Sequence, residues 1–145
     1  MATETVTCKC GETSVEFKGD PAFCGYCHCL DCRSAGLSVI HHGLAYPGDQ
    51  VSVTKGTTLE CKQRETRTDF NCSKCGQYLF NNNKFGLKCT SALHFVDADG
   101  KIKERFAPKI HIQYGERAVD VDDALPKFLD FPASFGGTDK QYTKE

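Results

Sequence analysis

Seven of the ten cysteines of this chain fall into three tight clusters: Cys8-Lys-Cys10-Gly, Cys27-His-Cys29-Leu-Asp-Cys32-Arg and Cys72-Ser-Lys-Cys75-Gly. Grouped thiols are soft metal ligands, and their numbers divide them into two sites. Cys8 with Cys10 and Cys72 with Cys75 together supply the four thiolates of a closed tetrahedral zinc site. Cys27, Cys29 and Cys32 supply three. Three protein ligands leave one position of a tetrahedral ion open to water or substrate, which separates catalytic zinc from structural zinc. A thiol taken up at that position would be held as thiolate, whereas a free one with a pKa of ~8.5 is mostly protonated at neutral pH. The spacing therefore predicts nucleophilic sulfur chemistry at the middle cluster, with Cys27, Cys29 and Cys32 as its catalytic ligands.

Alternate residues of an extended segment share a face, so Cys8/Cys10 and Cys27/Cys29 are expected on extended stretches, with Cys32 following at the spacing of a turn. The run Cys72-x-x-Cys75-Gly76 is expected to fold back around an ion, its glycine accepting the positive φ of such a knuckle. Most of the first half of the chain separates Cys10 from Cys72, so one ion would clamp the N-terminal strand onto a hairpin distant in sequence. His28 should face away from the metal as a core or hydrogen-bonding residue. Arg33 follows the last ligand and could orient a substrate carboxylate or donate to a ligand sulfur. Other readings stay open. A fourth ligand from Cys24, Cys61, Cys89, His41, His42, His94 or His111 would close the middle site into a second structural zinc. Left without metal, its thiols would be prone to disulfide formation, and the other four would pack as small hydrophobes. Cys24, Cys61 and Cys89 are expected to be buried or half-buried in strands.

At 145 residues and 39% hydrophobic, the chain has the size of one domain. The expected layout is a tail over 1–7, one zinc-binding domain over 8–135 and a loose polar tail over 136–145. Short β-type runs separated by turn signals are read over 13–18, 38–46, 51–54, 58–63, 68–71, 78–81 and 93–96. Short helices are read after Cys29 to Ala35 and over 122–128, where Pro126 limits the length. The fold class is mainly β. The N-terminus lacks a secretory signal and no run approaches the ~20 apolar residues of a membrane span, so a soluble chain of the cytoplasm is expected, the nucleus also being open to it. Thiols stay reduced there, which disfavours a disulfide framework. Net charge is −1, from 18 basic and 19 acidic side chains mixed along the chain. No basic stripe offers itself to phosphates, and neither nucleic acid nor membrane is an expected partner.

Three segments carry a resemblance: Cys8-Lys-Cys10-Gly, then Tyr26-Cys27-His28-Cys29-x-x-Cys32-Arg33-x-x-Gly36, then Asn71-Cys72-x-x-Cys75-Gly76-x-x-Leu79-Phe80. In order and spacing they resemble the glutathione-dependent formaldehyde-activating enzyme family, which includes centromere protein V. Lys109-Ile-His111-Ile-x-Tyr114 and Leu125-Pro-Lys-Phe128-x-x-Phe131-Pro are similar to the C-terminal part of its fungal members. The resemblance implies an Mss4-like zinc-containing β fold with short helical pieces. It implies a structural Zn²⁺ on Cys8, Cys10, Cys72 and Cys75, and a catalytic Zn²⁺ on Cys27, Cys29 and Cys32 at a glutathione-binding surface. The activity implied is that of a carbon–sulfur lyase or ligase, with glutathione as co-substrate and formaldehyde or another small electrophile as partner. Glutathione carries two carboxylates, for which Arg33, Lys84, Lys88 and Lys109 are candidate cations. The alternative within the family is a non-catalytic, zinc-stabilised binding module of the centromere protein V type.

Overall fold

Alternation of apolar and polar residues writes most of the strands. The computed structural model describes residues 2–36, 38–64 and 67–144. Its elements in chain order are β1 (Thr3–Thr7), β2 (Ser14–Lys18), β3 (Phe23–Cys27), α1 (Leu30–Gly36), β4 (His41–Pro47), β5 (Val51–Lys55), β6 (Thr58–Arg64), β7 (Arg67–Cys72), β8 (Tyr78–Asn83), β9 (Leu87–Ser91) and β10 (Ile110–Ile112), with short 3-10 turns between some of them. The fold is mainly β with short helical pieces. No helix among the described residues is long and apolar enough to cross a membrane. The chain divides into two compact units, Met1–Phe23 with Leu44–Lys103, and Cys24–Gly43 with Glu104–Glu145.

In the first unit β1, β2 and β5 form an antiparallel sheet in the order β1-β2-β5. Ser-Val-Glu-Phe-Lys in β2 turns Val15 and Phe17 inward, and both are fully buried. Val15 sits opposite Val6 on one side and Val53 on the other. Phe17 packs on Tyr46 and Phe95, with ring centroids 5.2 and 5.3 Å away. A second antiparallel run joins β6, β7, β8 and β9. On one of its faces Phe70 stacks on its cross-strand partner Phe80 at 4.7 Å, a pair of the kind that stabilises sheets.

In the second unit β3 and β10 run parallel, pairing Tyr26 with His111 and Cys27 with Ile112. Phe106 and Tyr114 are fully buried. The last residues do not form the loose tail read from the sequence. The Leu129 N–H donates to Lys140 O at 2.8 Å and the Tyr142 N–H to Lys127 O at 2.7 Å, and the Tyr142 ring packs on Tyr114 at 5.2 Å.

Further segments differ from the sequence reading: residues 1–7, read as a tail, carry β1, which pairs with β2 from Thr3 to Thr7 and buries Val6 opposite Val15. Residues 122–128 form no helix, because the chain there is bonded across the unit: the His111 N–H donates to Pro126 O and the Phe128 N–H to His111 O. The 93–96 run is not a strand. Ser91 Oγ accepts from the Leu93 N–H at 3.2 Å and starts a 3-10 turn over Ala92–His94, leaving Val96 only an isolated bridge to Ile102.

Candidate metal centres

The four thiols of Cys8, Cys10, Cys72 and Cys75 converge in the first unit, each Sγ within 4.8 Å of the others. Two turns bring them there. Cys8 and Cys10 lie just past β1 in a tight turn rather than on the extended segment expected, since the Gly11 N–H bonds to Cys8 O at 2.8 Å and Gly11 has φ +80°. Cys72 ends β7, and the Gly76 N–H bonds back to Cys72 O at 2.9 Å with Gly76 at φ +78°. This is the knuckle read from the sequence. Gln77 ties the turns together: its carbonyl takes the Cys72 N–H and its side-chain oxygen takes the Lys9 N–H at 2.7 Å. The Cys72 sulfur also receives the Lys74 and Cys75 N–H groups at 3.4 Å and faces the Thr13 hydroxyl at 3.3 Å.

Those donors decide which thiol ionises first. The Cys75 N–H, then the Thr13 hydroxyl, stabilise the Cys72 thiolate and lower its pKa to about 5. For Cys10 the Glu12 N–H works downward, but burial and the three neighbouring sulfurs outweigh it and push the pKa up to about 12. Four sulfurs this close cannot all be thiolates unless a cation sits among them, and zinc has the softness and tetrahedral preference that the set fits.

The three thiols of Cys27, Cys29 and Cys32 converge in the second unit, again within 4.8 Å of one another. Cys27 ends β3, and its Sγ lies 3.3 Å from that of Cys29. Cys29 immediately precedes α1. Its carbonyl takes the Arg33 N–H at 3.1 Å and its sulfur the Cys32 N–H at 3.3 Å, in the manner of an N-cap. Cys32 therefore stands in the first turn of a helix rather than in a free turn. Hydrogen bonding to Cys29, then to Cys32, raises the Cys27 pKa well above that of an ordinary thiol. Here too a soft cation is what would let the set ionise together. Among the described residues no fourth His, Cys, Asp or Glu completes this group.

The candidate fourth ligands are placed elsewhere. His42 meets Phe106 O at 2.9 Å, and His94 meets the Thr90 hydroxyl at 2.8 Å. Cys24 is buried and Cys89 half-buried, as expected, whereas Cys61 is exposed on β6. Lys84 and Lys88, over the rings of Phe85 and Phe80, belong to the first unit. Arg33 donates from Nε to His28 O at 2.9 Å and from Nη2 to Glu116 O at 2.7 Å, so part of its guanidinium braces the loop that carries the ligands.

His28 is fully buried, and its Nε2 lies 2.8 Å from His111 Nδ1. Burial, then the neighbouring His111, lowers its pKa to about 4 and keeps it neutral. His111 is fully buried as well, and its Nε2 meets Asp123 Oδ2 at 2.8 Å. The sequence reading listed His111 only as a possible metal ligand and passed over Asp123. Asp123 stands among Asp120 and Asp122, and its partner His111 lies across the unit, so nothing local singles it out.

A family model described as "Glutathione-dependent formaldehyde-activating enzyme" matches residues 3–116, which include both thiol sets and stop before the 125–132 motif. A crystal structure of a Rhodobacter sphaeroides protein, a structural genomics target, is similar at a TM-score of 0.49 and 19% identity, covering 66% of this chain and 93% of its own. No curated protein matches the sequence.

Proposed function

The chain belongs to the glutathione-dependent formaldehyde-activating enzyme family, and from that membership we propose that it is a zinc-dependent carbon–sulfur lyase or ligase. Its substrates on this reading are adducts of glutathione, or a similar thiol, with formaldehyde or another small electrophile. The observation that carries the reading is the convergence of three thiols, with no fourth ligand among the described residues, inside the span the family model matches.

Cys8, Cys10, Cys72 and Cys75 would hold a structural ion, and Cys27, Cys29 and Cys32 a second, catalytic one. Zinc bound by three thiolates supplies a Lewis acid that keeps a substrate sulfur as thiolate, both for addition to an electrophilic carbon and for departure from it. The protein's own contribution is to orient. Cys29 is fixed by the Cys32 N–H, and Cys27 by the ladder between β3 and β10. Arg33 steadies the loop between them through His28 O and keeps its Nη1 edge for a carboxylate of glutathione, which a guanidinium can grip with paired donors.

The test is zinc content per chain on freshly purified protein, repeated after dialysis against excess glutathione. Two ions, one of them exchanged or perturbed by glutathione, is the expected result. Two tightly held ions indifferent to glutathione would overturn the enzyme reading in favour of a binding module, and a single ion would remove the catalytic metal.

A further inference from the structure

The imidazole between Cys27 and Cys29 ends a chain of hydrogen bonds that starts beyond the segment matched by the family model. Asp123 Oδ1 accepts from the Lys127 ammonium at 2.7 Å and from the Leu125 N–H at 3.1 Å. Both partners can only donate. Asp123 Oδ2 lies 2.8 Å from His111 Nε2, and a carboxylate only accepts, so that nitrogen carries a proton. A neutral imidazole has one donor and one acceptor nitrogen. With His111 neutral, its Nδ1 is then the acceptor, and His28 Nε2, 2.8 Å away, donates to it. The bonds run one way, from His28 through His111 to Asp123, and leave His28 Nδ1 as a bare, buried nitrogen with no partner among the described residues.

The rest of His28 is held independently. Its N–H donates to Ile112 O at 3.1 Å, and its carbonyl takes Arg33 Nε. His111 stacks on its ring at 5.1 Å and Tyr114 meets it edge-on at 5.0 Å. These contacts leave the ring's tautomer open, and the far end of the chain sets it.

We infer that Asp123 is a positioning residue of the three-thiol centre: through His111 it fixes the tautomer of His28 and anchors that side chain, in the residue that joins Cys27 to Cys29. The consequence at the metal rests on the zinc reading above, but the direction of the hydrogen bonds does not. Groups bonded directly to metal ligands commonly matter about 10–100-fold in metal affinity, and Asp123, which acts through two imidazoles on the residue between two thiols, is expected at the low end of that range.

Asp123→Asn tests the direction. The Leu125 N–H and the Lys127 ammonium, which also reaches Asp123 O and Leu125 O at 3.0 Å, favour an oxygen at the Oδ1 position, so the new amide is expected to turn its NH₂ towards His111 Nε2, which then accepts. The whole chain inverts. Long-range ¹H–¹⁵N correlation spectra of the imidazole rings in the full chain should show protons on Nε2 of both His28 and His111 in the wild type, and on Nδ1 of both in Asp123→Asn. Chelator extraction of the ion on Cys27, Cys29 and Cys32 should become about tenfold faster in the variant, and extraction from the four-thiol set should not change. A wild-type His28 protonated at Nδ1, or a doubly protonated His111, would overturn the inference even if the variant failed to fold. So would unchanged tautomers in Asp123→Asn, or inverted tautomers with unchanged extraction. A chain that inverts its tautomers but binds no metal at the three-thiol set would overturn the zinc reading and uphold the direction of the chain.

Discussion

The two thiol sets are held by different means. Around Cys8, Cys10, Cys72 and Cys75 the backbone does the work: two tight turns each end on a left-handed glycine, Gly11 and Gly76, and amide N–H groups converge on the Cys72 sulfur. Around Cys27, Cys29 and Cys32 the described residues hold no such glycine, and the thiols sit on a strand end, a connecting residue and a first helical turn. There backbone bonds fix Cys27 and Cys29, and side chains that reach residues distant in sequence add to them, Arg33 at Glu116 O and His28 at Asp123 through His111. The thiol on which the backbone donors converge differs in the same sense from the one met mainly by other thiols, although Cys10 of the four-thiol set is also pushed up by its neighbouring sulfurs. Donors pull the Cys72 pKa down to about 5, while Cys27, whose leading partners are other thiols, is driven up. A site made from local turns is tied to the fold of its unit, whereas a site steadied by a side-chain network is tied to orientation.

The strongest way to break this comparison is to remove one sulfur from each set. Cys72→Ser should lose solubility and fold. A structural zinc is worth ~10–16 kcal/mol in small zinc peptides, comparable to the ~5–15 kcal/mol stability of a whole domain, and Cys72 is the sulfur on which the donors of the four-thiol set converge. Cys29→Ser should keep the circular dichroism and solubility of the wild type and lose one zinc ion per chain. If both variants unfolded equally, the division into a structural and a catalytic site would be wrong.

The four-thiol set was the more legible of the two because turn chemistry is local. Cys72-x-x-Cys75-Gly76 carries the ligand spacing and the residue that permits a positive φ within a few positions, and its turn stands as read, whereas Cys8-x-Cys10 reads as extended and the structure turns it at Gly11. The three-thiol set was legible as a cluster but not in its support. His28 read correctly as a buried residue facing another partner, yet Asp123 gave no signal, since what gives it a role is a bond to a residue brought near by the path of the chain between β10 and Lys127. Strands such as β2 announced themselves by alternation. The 122–128 segment misled for the opposite reason: its composition permits a helix, but its backbone groups find partners across the unit in His111. Cys61 misled in a third way, because position on a strand does not say which face is covered, and the structure leaves it exposed.

A smaller substitution sharpens the contrast without touching a ligand. Gly76 stands at φ +78°, and a Cβ built there would meet nothing within 4 Å, so Gly76→Ala isolates the conformational cost of a left-handed turn from any clash. That cost is about 1 kcal/mol, set against a knuckle whose Gly76 N–H still has Cys72 O to bond. The expected outcome is a chain that folds with both ions bound, a denaturation midpoint lowered to match about 1 kcal/mol, and an unchanged response of the three-thiol ion to glutathione. A neutral Gly76→Ala would mean that the turn around Cys72 and Cys75 does not depend on its left-handed glycine. An altered glutathione response would mean that the three-thiol set depends on the turn that closes the other, and the two sets would no longer count as independently held.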